Sequence, residues 1–226
     1  STLDRSSAAS DVYKRQRYTS SPTRCWHADD VYIGADLRGV LDILIEVLGL
    51  RGASVVVESP CEWSILRLLQ DAGVRVLELP WGEDGRLELA LLEGMLRHES
   101  VQLVVLSSSI SLPSAFALQP QDRLEVAQLL DRYDCWLLEN DTCGELGFKP
   151  APVALRDLVN PERLVVFASF EKILGPEAPF GYALSRHLSG ELQRQFLLRS
   201  FRLSSIRQRA IARLYLSLIH ISEPTR

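Results

Sequence analysis

The sequence predicts an α/β fold of three layers, in which a mostly parallel central sheet carries helices on both faces. Short runs rich in Val, Ile and Leu, such as SVVVE at 54–58 and QLVVL at 102–106, have the length and composition of buried strands. Other segments, such as residues 37–48, repeat apolar residues at helical spacing. The two kinds of segment alternate along the chain, which is typical of βαβ units around a parallel sheet.

Each element follows from a local pattern. Gly49 and Gly52 end the first helix, and Pro120 suits the first turn of a later one. The predicted helices cover residues 37–48, 63–71, 87–98, 120–133 and most of 188–214. The predicted strands cover residues 54–58, 74–79, 102–106, 135–139, 163–168 and 180–185. Ligands of such sheets lie beyond the carboxyl ends of the strands, so we expect the chemistry in the loops after Glu58, Leu106, Glu139 and Ala168.

The two ends of the chain resemble translated sequencing adapters. SSAASDVYKRQ occupies residues 6–16, and LSLIHISEPTR occupies residues 216–226. The alternative interpretation is a polar tail at each end. We therefore assign residues 1–16 and 216–226 as non-native tails that pack against nothing, and residues 17–215 as one domain, which we expect to be a fragment of a longer protein.

Composition narrows the class of protein. The 226 residues carry a formal net charge of −4, which offers no basic footprint for nucleic acid. The longest apolar run, residues 40–50, contains Asp42 and Glu46 and is too short and too charged to span a membrane. The four cysteines form no CxxC or His/Cys cluster, so we expect reduced, structural thiols, no metal site and a cytoplasmic protein.

Three segments carry a family resemblance. They read SVVVESPCEW at residues 54–63, WLLENDTCGELGF at 136–148 and VVFASFEKILGPEAPFGY at 165–182. In this order they resemble the large domain of fold-type I enzymes that depend on pyridoxal 5'-phosphate (PLP), the class I/II aminotransferases. They are especially similar to the aminotransferase-like domain of GntR/MocR transcription regulators. The resemblance spans about residues 28–213 and sets the expected fold.

The resemblance also implies a cofactor and partners. PLP would be the cofactor, the ligand would be an amino acid or an amine, and the full-length protein would be a homodimer. Contact with DNA would come only from a winged-helix domain before residue 17. The ancestral chemistry would be transfer of an amino group.

The resemblance aligns Lys172 with the lysine that forms a Schiff base with PLP. Residues 17–215 contain two lysines, Lys149 and Lys172, beside nineteen arginines, and Lys172 follows a predicted strand. A Schiff base needs a primary amine that can be deprotonated, which arginine does not supply. Ser169 aligns with a serine that binds the PLP phosphate. The alternatives are a solvated surface lysine and an ordinary turn serine.

Several positions depart from the family pattern. The arginine that clamps the phosphate aligns with Pro179, which offers neither charge nor donor. The aspartate that pairs with the pyridine nitrogen aligns with Asn140, although Asp141 could replace it if the register differs by one. The nearby family tyrosine aligns with Cys143. The expected cofactor site is therefore eroded.

Two further loops depart as well. The family N-P-x-G turn becomes residues 112–115 or 113–116, and neither register contains the asparagine that binds the ring hydroxyl. The phosphate loop T-x-G becomes Gly34, Ala35 and Asp36, and we expect Asp36 to act as a helix N-cap rather than as a phosphate ligand. The ring-stacking aromatic would be Trp63, although strict alignment places Glu62 there. Packing of Trp63 in the core is the alternative.

Two functions remain open from the sequence. The first is a PLP-binding aminotransferase-like domain, either in an aminotransferase or as the effector domain of a GntR/MocR regulator. The second is a degenerate regulator domain that has lost PLP and acts by binding another ligand or by dimerisation. Pro179, Asn140 and Asp36 favour the second function, whereas Lys172 and Ser169 favour the first.

Overall fold

A computed structural model describes residues 30–107, 109–144, 153–176, 179–199 and 206 of the chain. The α-helices of these residues are α1 (Leu37–Val47), α2 (Trp63–Asp71), α3 (Leu89–His98), α4 (Pro120–Arg132), α5 (Glu171–Leu174) and α6 (Ser189–Arg199). The strands are β1 (Val31–Gly34), β2 (Ser54–Ser59), β3 (Arg75–Pro80), β4 (Val101–Ser107), β5 (Trp136–Asn140), β6 (Leu164–Ser169) and β7 (Gly181–Leu184). Short 3-10 helices cover Leu155–Asp157 and Pro161–Arg163.

The strands form one sheet in the order β1-β7-β6-β5-β4-β2-β3. Strands β2 to β6 pair in parallel, whereas β7 is antiparallel to both β6 and β1. The fold class predicted from the sequence is therefore confirmed. The carboxyl ends of β2, β4, β5 and β6 lie on one edge of the sheet, because parallel strands run in the same direction.

Two apolar layers sandwich the sheet. Alternate residues of the central strands face opposite sides, so that Val56 and Val104 join one buried cluster while Val55 and Val105 join the other. The first cluster is completed by α3, α4 and the 3-10 helix at Leu155–Asp157. The second is completed by α1, α2 and α6. Burial on both faces explains why these strands read as continuous apolar runs.

Most element boundaries agree with the sequence prediction within a few residues. Helix α2 has the predicted bounds, and β2 extends one residue further, to Ser59. Strand β1 was not predicted, because four edge residues, VYIG, lack the length and the turn signals of a recognisable strand. The predicted last helix is seen as α6 up to Arg199, and residues 200–205 and 207–214 lie outside the described part of the chain. Both predicted tails also lie outside it, so their lack of packing stays a prediction.

Within the described residues, no helix is long and apolar enough to cross a membrane. The same residues contain no group of three or more His, Cys, Asp or Glu side chains arranged to hold a metal ion.

Candidate functional site

The predicted site residues lie along the carboxyl edge of the sheet. The end of β4 pairs in register with the end of β5, at Ser107 and Asn140, and the backbone N–H of Asp141 donates to the carbonyl of Phe167 in β6 at 2.8 Å. At the end of β6, Ser169 pairs with Gly181 of β7. Neighbouring strands therefore bring Asn140, Asp141 and Ser169 to the same edge.

The start of α1 is held against this edge by Gly181. A Cβ atom at Gly181 would lie 2.9 Å from the Cα of Leu37 and 3.1 Å from the carbonyl oxygen of Asp36. Only glycine allows the helix to approach the strand so closely. The N-terminus of α1 is thereby fixed next to the strand that pairs with Ser169.

A carboxylate occupies that helix N-terminus. The Oδ1 atom of Asp36 accepts a hydrogen bond from the backbone N–H of Gly39 at 2.6 Å, so Asp36 is the N-cap of α1, as expected. Ala35 precedes it and is exposed. A phosphate bound at a helix N-terminus uses the same free N–H groups and the same end of the helix dipole. Asp36 therefore competes with a phosphate for this position.

Lys172 stands on the short helix α5, directly after β6. Its side chain is 44% exposed, and its Nζ atom lies 3.8 Å from Oε1 of Glu62. Ser169 is buried, and its Oγ accepts a hydrogen bond from the backbone N–H of Glu171 at 3.1 Å. The serine hydroxyl thus caps the turn that carries Lys172, and the amine stays accessible.

Asn140 and Asp141 are both engaged by the protein. The Oδ1 atom of Asn140 accepts from the backbone N–H of Thr142 at 3.1 Å. Asp141 is buried, and its Oδ1 atom lies 2.7 Å from Nη2 of Arg156. The Tyr182 hydroxyl donates to Oδ2 of Asp141 at 3.4 Å. A cation and a hydroxyl already bind the carboxylate that could replace the missing pyridine partner.

Arg156 bridges two buried carboxylates. Its Nη2 atom lies 2.9 Å from Oε1 of Glu139 as well as 2.7 Å from Oδ1 of Asp141. Arg156 could not be predicted from the sequence, because it lies in a 3-10 segment some fifteen residues beyond β5, and no local pattern links the two. A buried ion pair of this kind needs a complete set of partners to offset the loss of hydration.

Cys143 lies close to Lys172 and Glu62. It is buried, and this desolvation raises the pKa of its thiol, with Glu62 raising the pKa further and Lys172 lowering it. At neutral pH Cys143 is therefore a neutral thiol. In the place of the family tyrosine it offers only a weak hydrogen-bond donor.

The turn that replaces N-P-x-G follows β4. Ala115 has φ 61°, a left-handed conformation that favours glycine. This backbone favours the register that aligns Ala115 with the glycine of the pattern and Leu112 with its asparagine. Neither register contains an asparagine, so the loss of the hydrogen bond to a ring hydroxyl stays a prediction.

The aromatic residue of the site is not packed in the core. Trp63 is the first residue of α2 and is 68% exposed, so the alternative of core packing is wrong. Trp63 is not packed in the core because Ile65, Leu68 and Leu69 form the buried face of α2, and the first residue of the helix points away from that face. Trp63 as a ring-stacking residue stays a prediction.

Glu58 is a buried acid that sequence analysis did not single out. It ends the apolar run of β2, and its Oε1 atom accepts from the Ser107 hydroxyl at 2.6 Å. Burial raises the pKa of Glu58 from 4.5 to about 7, and the hydrogen bond from Ser107 offsets part of that rise. The sequence pattern could have predicted this burial, because a charged residue within a strand buried on both faces has to place its carboxylate in the interior.

The residues present do not fit the phosphate and ring of PLP. Asp36 places a carboxylate at the helix N-terminus that would receive the phosphate, and half-buried Pro179 has no N–H or charge to offer it. Asn140 is committed to its own turn, and Asp141 to Arg156. Lys172 remains as an accessible amine at the edge of the sheet.

The fold is that of the large domain of fold-type I PLP-dependent aminotransferases. An archaeal alanine:glyoxylate aminotransferase superposes with a TM-score of 0.83 at 20% identity, over 95% of this chain and 54% of that one. Cystalysin from Treponema denticola, which contains PLP, superposes with a TM-score of 0.78 at 9% identity, over 90% of this chain and 54% of that one. At such identities the likeness shows the fold alone.

The sequence relatives are MocR-type regulators and aminotransferases. The HTH-type transcriptional regulator YdcR of Escherichia coli is 28% identical over 202 residues, which are 88% of this chain and 42% of YdcR. The probable rhizopine catabolism regulatory protein MocR of Rhizobium meliloti is 28% identical over 68% of this chain and 30% of its own length. No family model matches the chain. The chain spans about two fifths of the length of its first curated relatives, and it is similar to that part of those regulators.

Proposed function

We propose that this chain is the effector-sensing domain of a MocR-type transcription regulator in the cytoplasm, and that PLP is not its tightly bound cofactor. The ligand that it senses is an amino acid or an amine. DNA would be bound by a separate helix-turn-helix domain, as the names of the relatives YjiR and YdcR indicate for those proteins. The whole protein would act as a homodimer.

The position of Asp36 carries this proposal. Two unit charges 4 Å apart interact by roughly 4 kcal/mol at an effective dielectric constant of 20, which is repulsive between a carboxylate and a phosphate. The N-cap hydrogen bond at 2.6 Å holds the Asp36 carboxylate at that helix N-terminus. The same bond stabilises α1 by about 1 kcal/mol, so moving the side chain aside has a cost.

A catalytic aminotransferase is the second candidate, and the accessible Lys172 favours it. A reactive lysine at the end of β6 is what amino-group transfer requires. Without a charged partner at the ring nitrogen, however, a bound pyridine ring is a poor electron sink. The occupied carboxylate of Asp141 therefore favours a sensing function over catalysis.

PLP titration of the full chain distinguishes the two functions. We expect binding weaker than that of a working aminotransferase by roughly tenfold to more than a hundredfold, because loss of a charge-assisted bond costs about 1.5–3 kcal/mol. Binding is followed by the Schiff-base absorbance band, with Lys172→Ala as the control. Tight binding at submicromolar PLP that disappears in Lys172→Ala would contradict the proposal.

A further inference from the structure

Glu62 holds its carboxylate in an unusual place. It is the N-cap residue of α2, yet its side chain makes no cap hydrogen bond, and its Oε1 atom lies 3.8 Å from the Lys172 amine instead. The backbone carbonyl of Glu62 accepts from the N–H groups of Ile65 and Leu66, so the backbone alone starts the helix. The carboxylate is therefore left to interact with Lys172.

The Glu62 carboxylate lies next to two positive features of the fold, the N-terminus of α2 and the Lys172 amine. The N-terminus of a helix stabilises an anion through its dipole, and Lys172 supplies a cation. Two cysteines interact electrostatically with this carboxylate, the half-buried Cys61 and the buried Cys143. Desolvation raises the pKa of Cys61 to about 12, with Glu58 and Glu62 raising it further, and desolvation and Glu62 also raise the pKa of Cys143. Neither thiol is ionised at neutral pH, so neither adds a charge that would compete with Glu62 for the amine.

We propose that Glu62 is the built-in counter-ion of Lys172 and determines which ligands the amine accepts. For Lys172 to condense with an aldehyde, its ammonium group must first lose a proton. The nitrogen lone pair then bonds to the carbonyl carbon. The carbonyl oxygen leaves as water with the two hydrogens of the neutral amine, which forms the imine. A carboxylate beside the amine stabilises the protonated form, which has no lone pair. Glu62 thus disfavours carbonyl ligands at Lys172.

Glu62 acts on a different part of a ligand than Asp36 does. Asp36 lies at the N-terminus of α1 and repels a phosphate, whereas Glu62 lies at the N-terminus of α2 and controls the amine. A carbonyl compound without a phosphate is therefore disfavoured by Glu62 but not by Asp36. The inference rests on the proposed sensing function, because it explains how a domain that keeps Lys172 avoids Schiff-base chemistry.

Reductive methylation of the full chain with formaldehyde and cyanoborohydride measures the reactivity of Lys172 directly. The hydride of cyanoborohydride reduces the imine, and mass spectrometry quantifies methylated Lys172, with Lys14 as a reference in the same sample. In Glu62→Gln we expect Lys172 to react about two- to fivefold faster at pH 7, which is the range that partly exposed ion pairs support. The substitution keeps the size of the side chain, and circular dichroism checks the fold.

Glu78→Gln is the matched control, because it makes the same chemical change at an exposed carboxylate that accepts from Ser59. An unchanged rate in Glu62→Gln, or an equal increase in Glu78→Gln, overturns the inference.

A second experiment compares how much pyridoxal and how much PLP is trapped on Lys172. We expect Glu62→Gln to raise both, and Asp36→Asn to raise PLP alone. Tight PLP binding by the unaltered chain would contradict the proposed function, whereas an unchanged methylation rate would contradict only the role of Glu62.

Discussion

Replacing Arg156 with alanine is expected to lower the free energy of unfolding by about 3–5 kcal/mol at pH 7. The guanidinium lies 2.9 Å from Glu139 and 2.7 Å from Asp141, and all three residues are buried. Removing this cation leaves two buried carboxylates that are no longer compensated by it. Chemical denaturation of the purified variant measures the loss.

An exposed arginine serves as the control for this prediction. The Arg132 guanidinium lies 3.0 Å from Oε1 of Glu93, but its side chain is 61% exposed, so Arg132→Ala should cost less than about 1 kcal/mol. Acidification should recover part of the loss in Arg156→Ala, because protonation removes the negative charges of Glu139 and Asp141. A loss below 1 kcal/mol that does not depend on pH would mean that the pair contributes no net stability.

Composition and periodicity were enough to predict the sheet and its layers. Strands β2 and β4 are apolar throughout because both faces of the sheet are buried. The helices between them are amphipathic because only one face of each helix is buried. The edge strand β1 escaped prediction because its partner β7 lies about 150 residues away along the chain. Its identity depends on a tertiary contact, which no local pattern contains.

The candidate site could be predicted in part. Lys172, Ser169 and Asp36 follow strands or begin helices, so their positions at the sheet edge could be inferred from local structure. The electrostatic partners could not be inferred, because Arg156 and Glu62 reach Asp141 and Lys172 across the fold. A site residue can thus be recognised from local structure, whereas its electrostatic partners come from distant parts of the chain.

Glu58 should make the stability of this domain fall as the pH rises. Burial raises the pKa of Glu58 from 4.5 in an ordinary setting to about 7 in the folded protein. The folded chain therefore binds this proton more tightly than the unfolded chain does, and the stabilisation is fully present below about pH 4.5. It is lost as the pH rises through about 7, and a shift of this size corresponds to about 3 kcal/mol.

Glu58→Gln tests this by removing the titration while keeping a neutral side chain of the same size. The free energy of unfolding of the unaltered chain, minus that of Glu58→Gln, should fall by about 2.5 kcal/mol between about pH 5 and pH 8. Other acids titrate in both proteins and cancel in this difference. Glu78→Gln makes the same chemical change at an exposed carboxylate that accepts from the Ser59 hydroxyl, and it is the control for the substitution itself. A difference for Glu58→Gln that does not change with pH would show that burial at the end of β2 does not raise the pKa of Glu58.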